Sequence, residues 1–142
     1  MSGDLKATVG PGDVEGELAV VLRVENASGE PVELLNPDFG HPSPRSGWPF
    51  STAAYRASLL MSYGYLTITV TDVDGEEVRR EALETWATPI LRPKVALAPG
   101  ESLTVPVPVG PFYRLSPLDA YRVTVEYGDD VIKVRAEGAI SG

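Results

Sequence analysis

Near the C-terminus, Leu115-Ser116-Pro117-Leu118-Asp119-Ala120-Tyr121 runs straight into the alternating stretch Arg122-Val123-Thr124-Val125-Glu126-Tyr127. A Leu, a Pro two residues later and a Tyr four after that, at the entry to a strand, spell a tyrosine corner. In that device a buried Tyr ring sits at the end of a β-sandwich. Its hydroxyl bonds to a backbone group a few residues upstream and pins the arch between two sheets. This pattern restricts the chain to two stacked layers of strands more firmly than it points to any chemistry.

The rest of the chain agrees with that restriction. Glu17 to Glu25 alternates loosely and is rich in Val and Leu, and Val32 to Leu35 resumes an extended pattern after a polar turn. Tyr65 to Val70 alternates cleanly, with Leu66, Ile68 and Val70 on one face. Asp74-Gly75 supplies the residues of a tight hairpin turn, and Glu77 to Ala82 is the expected return strand. Pro93 to Leu97 is short. Ser102 to Val109 alternates again, but Pro106 and Pro108 cannot donate to a ladder, so this strand is expected at a sheet edge. Tyr121 to Tyr127 and Val131 to Ala136 flank Gly128-Asp129-Asp130 as a final hairpin. Gly 14 and Pro 13 suit many short strands joined by turns. The expectation is an all-β, antiparallel sandwich of about 7–9 strands with one long loop insertion over 37–62. Within the insertion, Ala53 to Ser62 is compatible with either helix or strand, because its Ala, Leu and Met favour helix over a marginal length.

Length and charge narrow the function. A chain of 142 residues reads as a single domain over 1–142 with its own core. Twenty acids against twelve bases give a net charge of −8. Such a surface repels phosphate backbones and anionic lipid, so neither nucleic acid nor membrane is expected as a partner, and a basic protein is favoured. The same acidity also serves solubility alone. With no cysteine there is no disulfide framework, thiolate metal site or thiol nucleophile. That fits a reducing compartment, and the expected location is the cytoplasm. Residues 1 to 11 lack a basic start followed by an apolar stretch, so no signal peptide is expected. No apolar run reaches the roughly 18 residues that would span a bilayer.

The chain resembles an immunoglobulin or fibronectin type III sandwich, on the strength of Leu115, Pro117 and Tyr121 before the penultimate strand. The order of its turns is also similar to that of the intracellular proteinase inhibitor family of bacilli. The shared features are Val24-Glu25-Asn26-Ala27-Ser28-Gly29-Glu30-Pro31-Val32, the hairpin Asp72-Val73-Asp74-Gly75-Glu76-Glu77-Val78, and the strand entry Leu97-Ala98-Pro99-Gly100-Glu101. The resemblance implies an immunoglobulin-like fold and a binding role. The insertion from Pro37 to Ser62 departs from that family's compact pattern, and inhibition is not carried over as the main expectation.

Catalytic chemistry finds few residues. His41 is the only histidine, and it lies in a Pro/Gly-rich loop. Neither a phosphate loop nor a GxSxG elbow is present. Asp72, Asp74 and Glu76 have the opening spacing of a calcium loop, but no Glu stands twelve positions from the start, so a solvated hairpin turn is the expected reading. Asp129 and Asp130, with Glu126, form a second acidic turn that could share an ion with the first. No enzyme activity, cofactor or metal is expected.

The stronger functional signal is aromatic. Phe39, His41, Arg45, Trp48 and Phe50 share one Pro/Gly/Ser-rich insertion. Trp86 lies in a second connecting segment, and Phe112 and Tyr113 in a third. These residue types supply most of the binding energy at protein interfaces, and neighbouring prolines reduce the entropy lost on binding. The expected function is therefore a protein-binding module, whether inhibitor, immunity-type partner or assembly subunit, that uses these eight residues. The competing structural reading makes Trp48 and Trp86 plugs at the open ends of the sandwich. A carbohydrate-binding module using exposed Trp and Tyr is the alternative function. Tyr63, Tyr65 and Tyr127 would supply its stacking stripe, although on strands such residues also serve as cross-strand packing pairs.

Overall fold

Alternation of apolar and polar residues sets the strands. The computed structural model describes residues 5–14, 16–37, 50–80, 94–116, 119–128 and 132–141. In chain order these form β1 (Leu5–Val14), β2 (Glu17–Asn26), β3 (Val32–Leu35), α1 (Thr52–Ser62), β4 (Leu66–Thr71), β5 (Lys94–Leu97), β6 (Ser102–Pro108), β7 (Ala120–Gly128) and β8 (Lys133–Ser141). All pairings are antiparallel. The ladders run β1-β2-β6, β4-β7-β8 and β3-β5. The fold is an all-β sandwich, as expected, and among the described residues it carries one helix, which settles the open reading of Ala53 to Ser62. No helix among the described residues is long and apolar enough to cross a membrane.

The inward positions make one core. Val20, Leu22 and Val24 of β2 and Val105 and Val107 of β6 are buried with Leu66, Ile68 and Val70 of β4 and Val123, Val125 and Tyr127 of β7. Each fully buried Val or Leu contributes about 2 kcal/mol before the entropy of ordering is counted. The two three-stranded sheets meet along β1 and β8. Gly138 permits that approach, since a Cβ there would lie 2.8 Å from the Val9 carbonyl oxygen and 2.7 Å from Val9 Cγ1. On the opposite flank α1 packs against both β6 and β4. Its buried Ala54, Ala57 and Leu60 join the core.

Prolines fall where the ladders can spare a donor. Hydrogen bonds from β2 toward β6 lie on even positions. Asn26 N–H donates to Glu101 O at 2.9 Å at one end, and Val109 N–H to Leu18 O at 2.8 Å at the other. Pro106 lies opposite Val21 and Pro108 opposite Ala19, both at non-bonded pairs on an edge strand. Pro11 lies opposite Val20 on β1 by the same alternation. The Gly10-Pro11-Gly12 run is what disguises β1, which the sequence did not announce. The expected return strand from Glu77 is shorter than anticipated. Among the described residues it is reduced to a bridge between Thr71 and Glu77 and another between Arg80 and Tyr113.

Tyrosine hydroxyls fasten the segments that ladders do not. Tyr121 is buried, and the Ser116 backbone N–H donates to its hydroxyl oxygen at 2.8 Å, which completes the tyrosine corner. Tyr113 donates to Ile68 O at 2.8 Å, and Tyr127 donates to Leu35 O across 92 residues of sequence. Tyr63 is the exception, since its buried hydroxyl has no partner among the described residues.

These assignments predict opposite outcomes for similar substitutions. Tyr121→Phe leaves the Ser116 amide without its acceptor and should cost about 1–2 kcal/mol in urea unfolding. Tyr63→Phe should be neutral or stabilising, because it removes an unsatisfied group. Gly138→Ala should cost about 1–3 kcal/mol through overpacking against Val9.

Candidate interaction surface

The ends of the insertion are held by specific contacts. On its N-terminal side, β3 closes with Leu35, whose carbonyl accepts the Tyr127 hydroxyl. On its C-terminal side, Ser51 caps α1 by accepting from the Ala54 N–H at 3.0 Å. Ser51 is held in turn by Glu17 at the start of β2. Its backbone N–H donates to Glu17 Oε2 at 2.9 Å, and its hydroxyl donates to Glu17 Oε1. The carboxylate also places negative charge beside the positive end of the helix dipole. The cap explains why a marginal Ala-, Leu- and Met-containing stretch becomes helix.

The anchors of the aromatic segments lie side by side. In the β3-β5 ladder Leu35 is opposite Lys94, so the first segment leaves the frame where the second returns to it. Arg80, where the second segment leaves, bridges Tyr113 in the third. Of the eight expected contact residues, Phe39, His41, Arg45, Trp48 and Trp86 lie outside the described residues. Phe50 is half-buried and packs on the core.

Phe112 and Tyr113 require a correction. Expected on an exposed loop, they are interior, at 1% and 4% exposure. The Phe112 and Tyr113 N–H groups both donate to Val109 O, at 3.0 and 3.1 Å. That tight turn sends both rings into the core and leaves Arg114 outside. The tyrosine stripe considered for sugar stacking is also packing. Tyr65 and Tyr127 are buried, Tyr127 lies opposite Leu66, and the Tyr63 and Tyr65 rings stand 6.0 Å apart at 33°.

At the base of the insertion a groove of about 200 Å³ separates α1 from β6. Pro37, Ala57, Leu60, Val105 and Pro106 line it, with Arg56 at its side. It is smaller than the ~300–1,000 Å³ typical of small-molecule sites. A second cavity of about 380 Å³ lies by the Asp72 turn, against Tyr121 and Arg122. There Asp72 Oδ1 accepts from the Asp74 and Glu76 N–H groups, both at 2.9 Å, as in a solvated hairpin turn. Among the described residues no group of three or more His, Cys, Asp or Glu is placed to hold a metal. Asp129 and Asp130 lie outside the described residues.

Sequence reasoning flagged Asn26 only as a strand end, yet it is a fully buried node. Its Nδ2 donates to Glu30 O at 2.8 Å and Leu97 O at 2.9 Å, and its Oδ1 accepts from Ser28 N–H and Ser28 Oγ. Its backbone oxygen accepts from Gly100 N–H at 2.8 Å. The signal was in the two turn motifs, 24–32 and 97–101, which read as separate features and prove to be one hydrogen-bonded joint.

Comparison with known proteins adds little to this geometry. A scan against family models and a search of curated proteins return no match. Among solved structures, the chain is similar to part of β-glucuronidase 2 of Bacteroides uniformis, at 18% identity and a TM-score of 0.33. That alignment covers 97% of this chain but only 12% of the glucuronidase chain.

The titration of Tyr113 bears on the anchors. Burial pushes its phenol above the ordinary value of 10.0; the nearby Arg80 charge opposes the rise and Glu77 adds to it. Its folded value is raised, so the stabilisation is complete below the ordinary value and is lost as pH climbs through the folded one. Thermal unfolding measured from about pH 8 to about pH 11 should therefore show an alkaline fall in Tm. Tyr113→Phe should start from a lower Tm, by about 1 kcal/mol of lost hydrogen bond, and show a shallower alkaline fall.

Proposed function

We propose that the chain is a non-enzymatic, immunoglobulin-like protein-binding module whose contact surface is the segment between β3 and α1. Arg45 and Trp48 are its central contacts, with Phe39 and His41 beside them and Trp86 supplied by the neighbouring segment. The observation that supports this reading is the register of the anchors. Leu35 opposite Lys94, with Arg80 bridging Tyr113, roots two aromatic-bearing segments at adjoining points of a packed frame. Binding residues carried on connections between rigid elements are the usual arrangement for recognition. Phe112 and Tyr113 serve the frame instead, and Phe50 braces the base of the segment. The net charge of −8 favours a basic partner and a salt-sensitive association rate.

The test is capture from the native host followed by mass spectrometry, comparing wild type with an Arg45→Glu/Trp48→Ala double variant. The proposal expects a partner enriched by wild type and reduced at least ~10-fold by the variant, as for two central contacts, with Tm essentially unchanged. A variant that unfolds, or that captures the partner as well as wild type, would place Trp48 in the packing and overturn the assignment.

A further inference from the structure

The chain's only sulfur atoms are in Met1 and Met61. Met61 sits half-buried in the last turn of α1 and packs against the core on one side. On its solvent side the Arg80 Nη1–H donates to its Sδ at 3.2 Å. Arg80 is itself exposed, and its backbone bridges Tyr113. A charged donor therefore rests on a soft acceptor at the point where α1 meets the stub leading into residues 81–93. A thioether is a weak acceptor, so the contact as it stands contributes little.

We propose that the Met61–Arg80 contact is a peroxide-responsive tie, weak as the thioether and strong as the sulfoxide. A lone pair on Sδ attacks one oxygen of hydrogen peroxide and the O–O bond breaks. The other oxygen takes a proton and leaves as water. Sulfur is oxidised by two electrons and the peroxide is reduced. The new S–O dipole is a full acceptor, and a guanidinium donating to it makes a charge-assisted hydrogen bond. The contact is exposed, so the added oxygen can face Arg80 and water rather than the core. Oxidation elsewhere in a core ordinarily disrupts packing. Here it fastens the end of α1 to the residue from which the second aromatic segment departs. The inference does not depend on the binding role proposed above.

The experiment treats wild type, Met61→Leu and Arg80→Gln with dilute hydrogen peroxide. The site of oxygen addition is read by mass spectrometry of the tryptic peptide 57–79, and Tm is compared before and after treatment. The tie predicts oxygen at Met61 and a peroxide-dependent Tm change about 3 °C more favourable in wild type than in Arg80→Gln, the scale of one strengthened hydrogen bond in a chain of this size. Met61→Leu should show no peroxide-dependent change. Oxygen found at Met1 alone would overturn the proposal. So would an equal loss of Tm in wild type and Arg80→Gln, which would mark the sulfoxide as a packing lesion.

Discussion

The hydroxyl of Tyr127 on the carbonyl of Leu35 is the contact that ties the small β3-β5 ladder to the β4-β7-β8 sheet. Tyr127 lies in the central strand of one sheet, and Leu35 ends a four-residue strand whose only ladder partner among the described residues is β5. A two-stranded ladder is marginal by itself in water. The phenol is fully buried, and its bond is made where competition from water is lowest. Breaking it would forfeit a hydrogen bond made in the dry interior. Residues 38–49 follow β3 and residues 81–93 precede β5, so both connect to the frame at a ladder that this link ties to the larger sheet.

The same device recurs. Tyr113 fixes the turn after β6 to β4, and Tyr121 fixes the arch before β7. Asn26 does with an amide what the tyrosines do with phenols, joining the turn after β2 to the turn before β6. Tyr121 and Asn26 pair with backbone groups of the irregular segments beside their strands, while Tyr113 reaches from a turn to a strand carbonyl and Tyr127 from one strand to another. Backbone groups at these turns thereby find partners where water is scarce. The frame gains definition at its connections, where a sandwich is otherwise loosest.

Much of this was legible in the residues. The corner tyrosine Tyr121, the alternation of Leu66 to Val70, and the edge character of the Pro106 and Pro108 strand carry local signals, and these hold; Tyr65 departs from the alternation, lying before β4 and buried. What was not legible depended on contacts distant in sequence. β1 was hidden by Gly10-Pro11-Gly12, whose break signal gives way because the register places Pro11 at a non-bonded pair. Residues 52–62 became helix through a cap that needs Glu17, 34 residues earlier. Phe112 and Tyr113 have the composition of a binding loop but turn inward because two N–H groups share the Val109 carbonyl. Composition names residue types suited to recognition, and only packing says which of them are left to perform it.

Hydrogen exchange of Tyr127→Phe against wild type addresses the central claim most directly. The account predicts that amide protection falls in β3 and β5 while β2, β7 and β8 keep theirs, since only the small ladder loses a tie and Asn26 on the Leu97 carbonyl is left to hold it. Unchanged protection of β3 and β5, or a uniform fall across every strand, would contradict it.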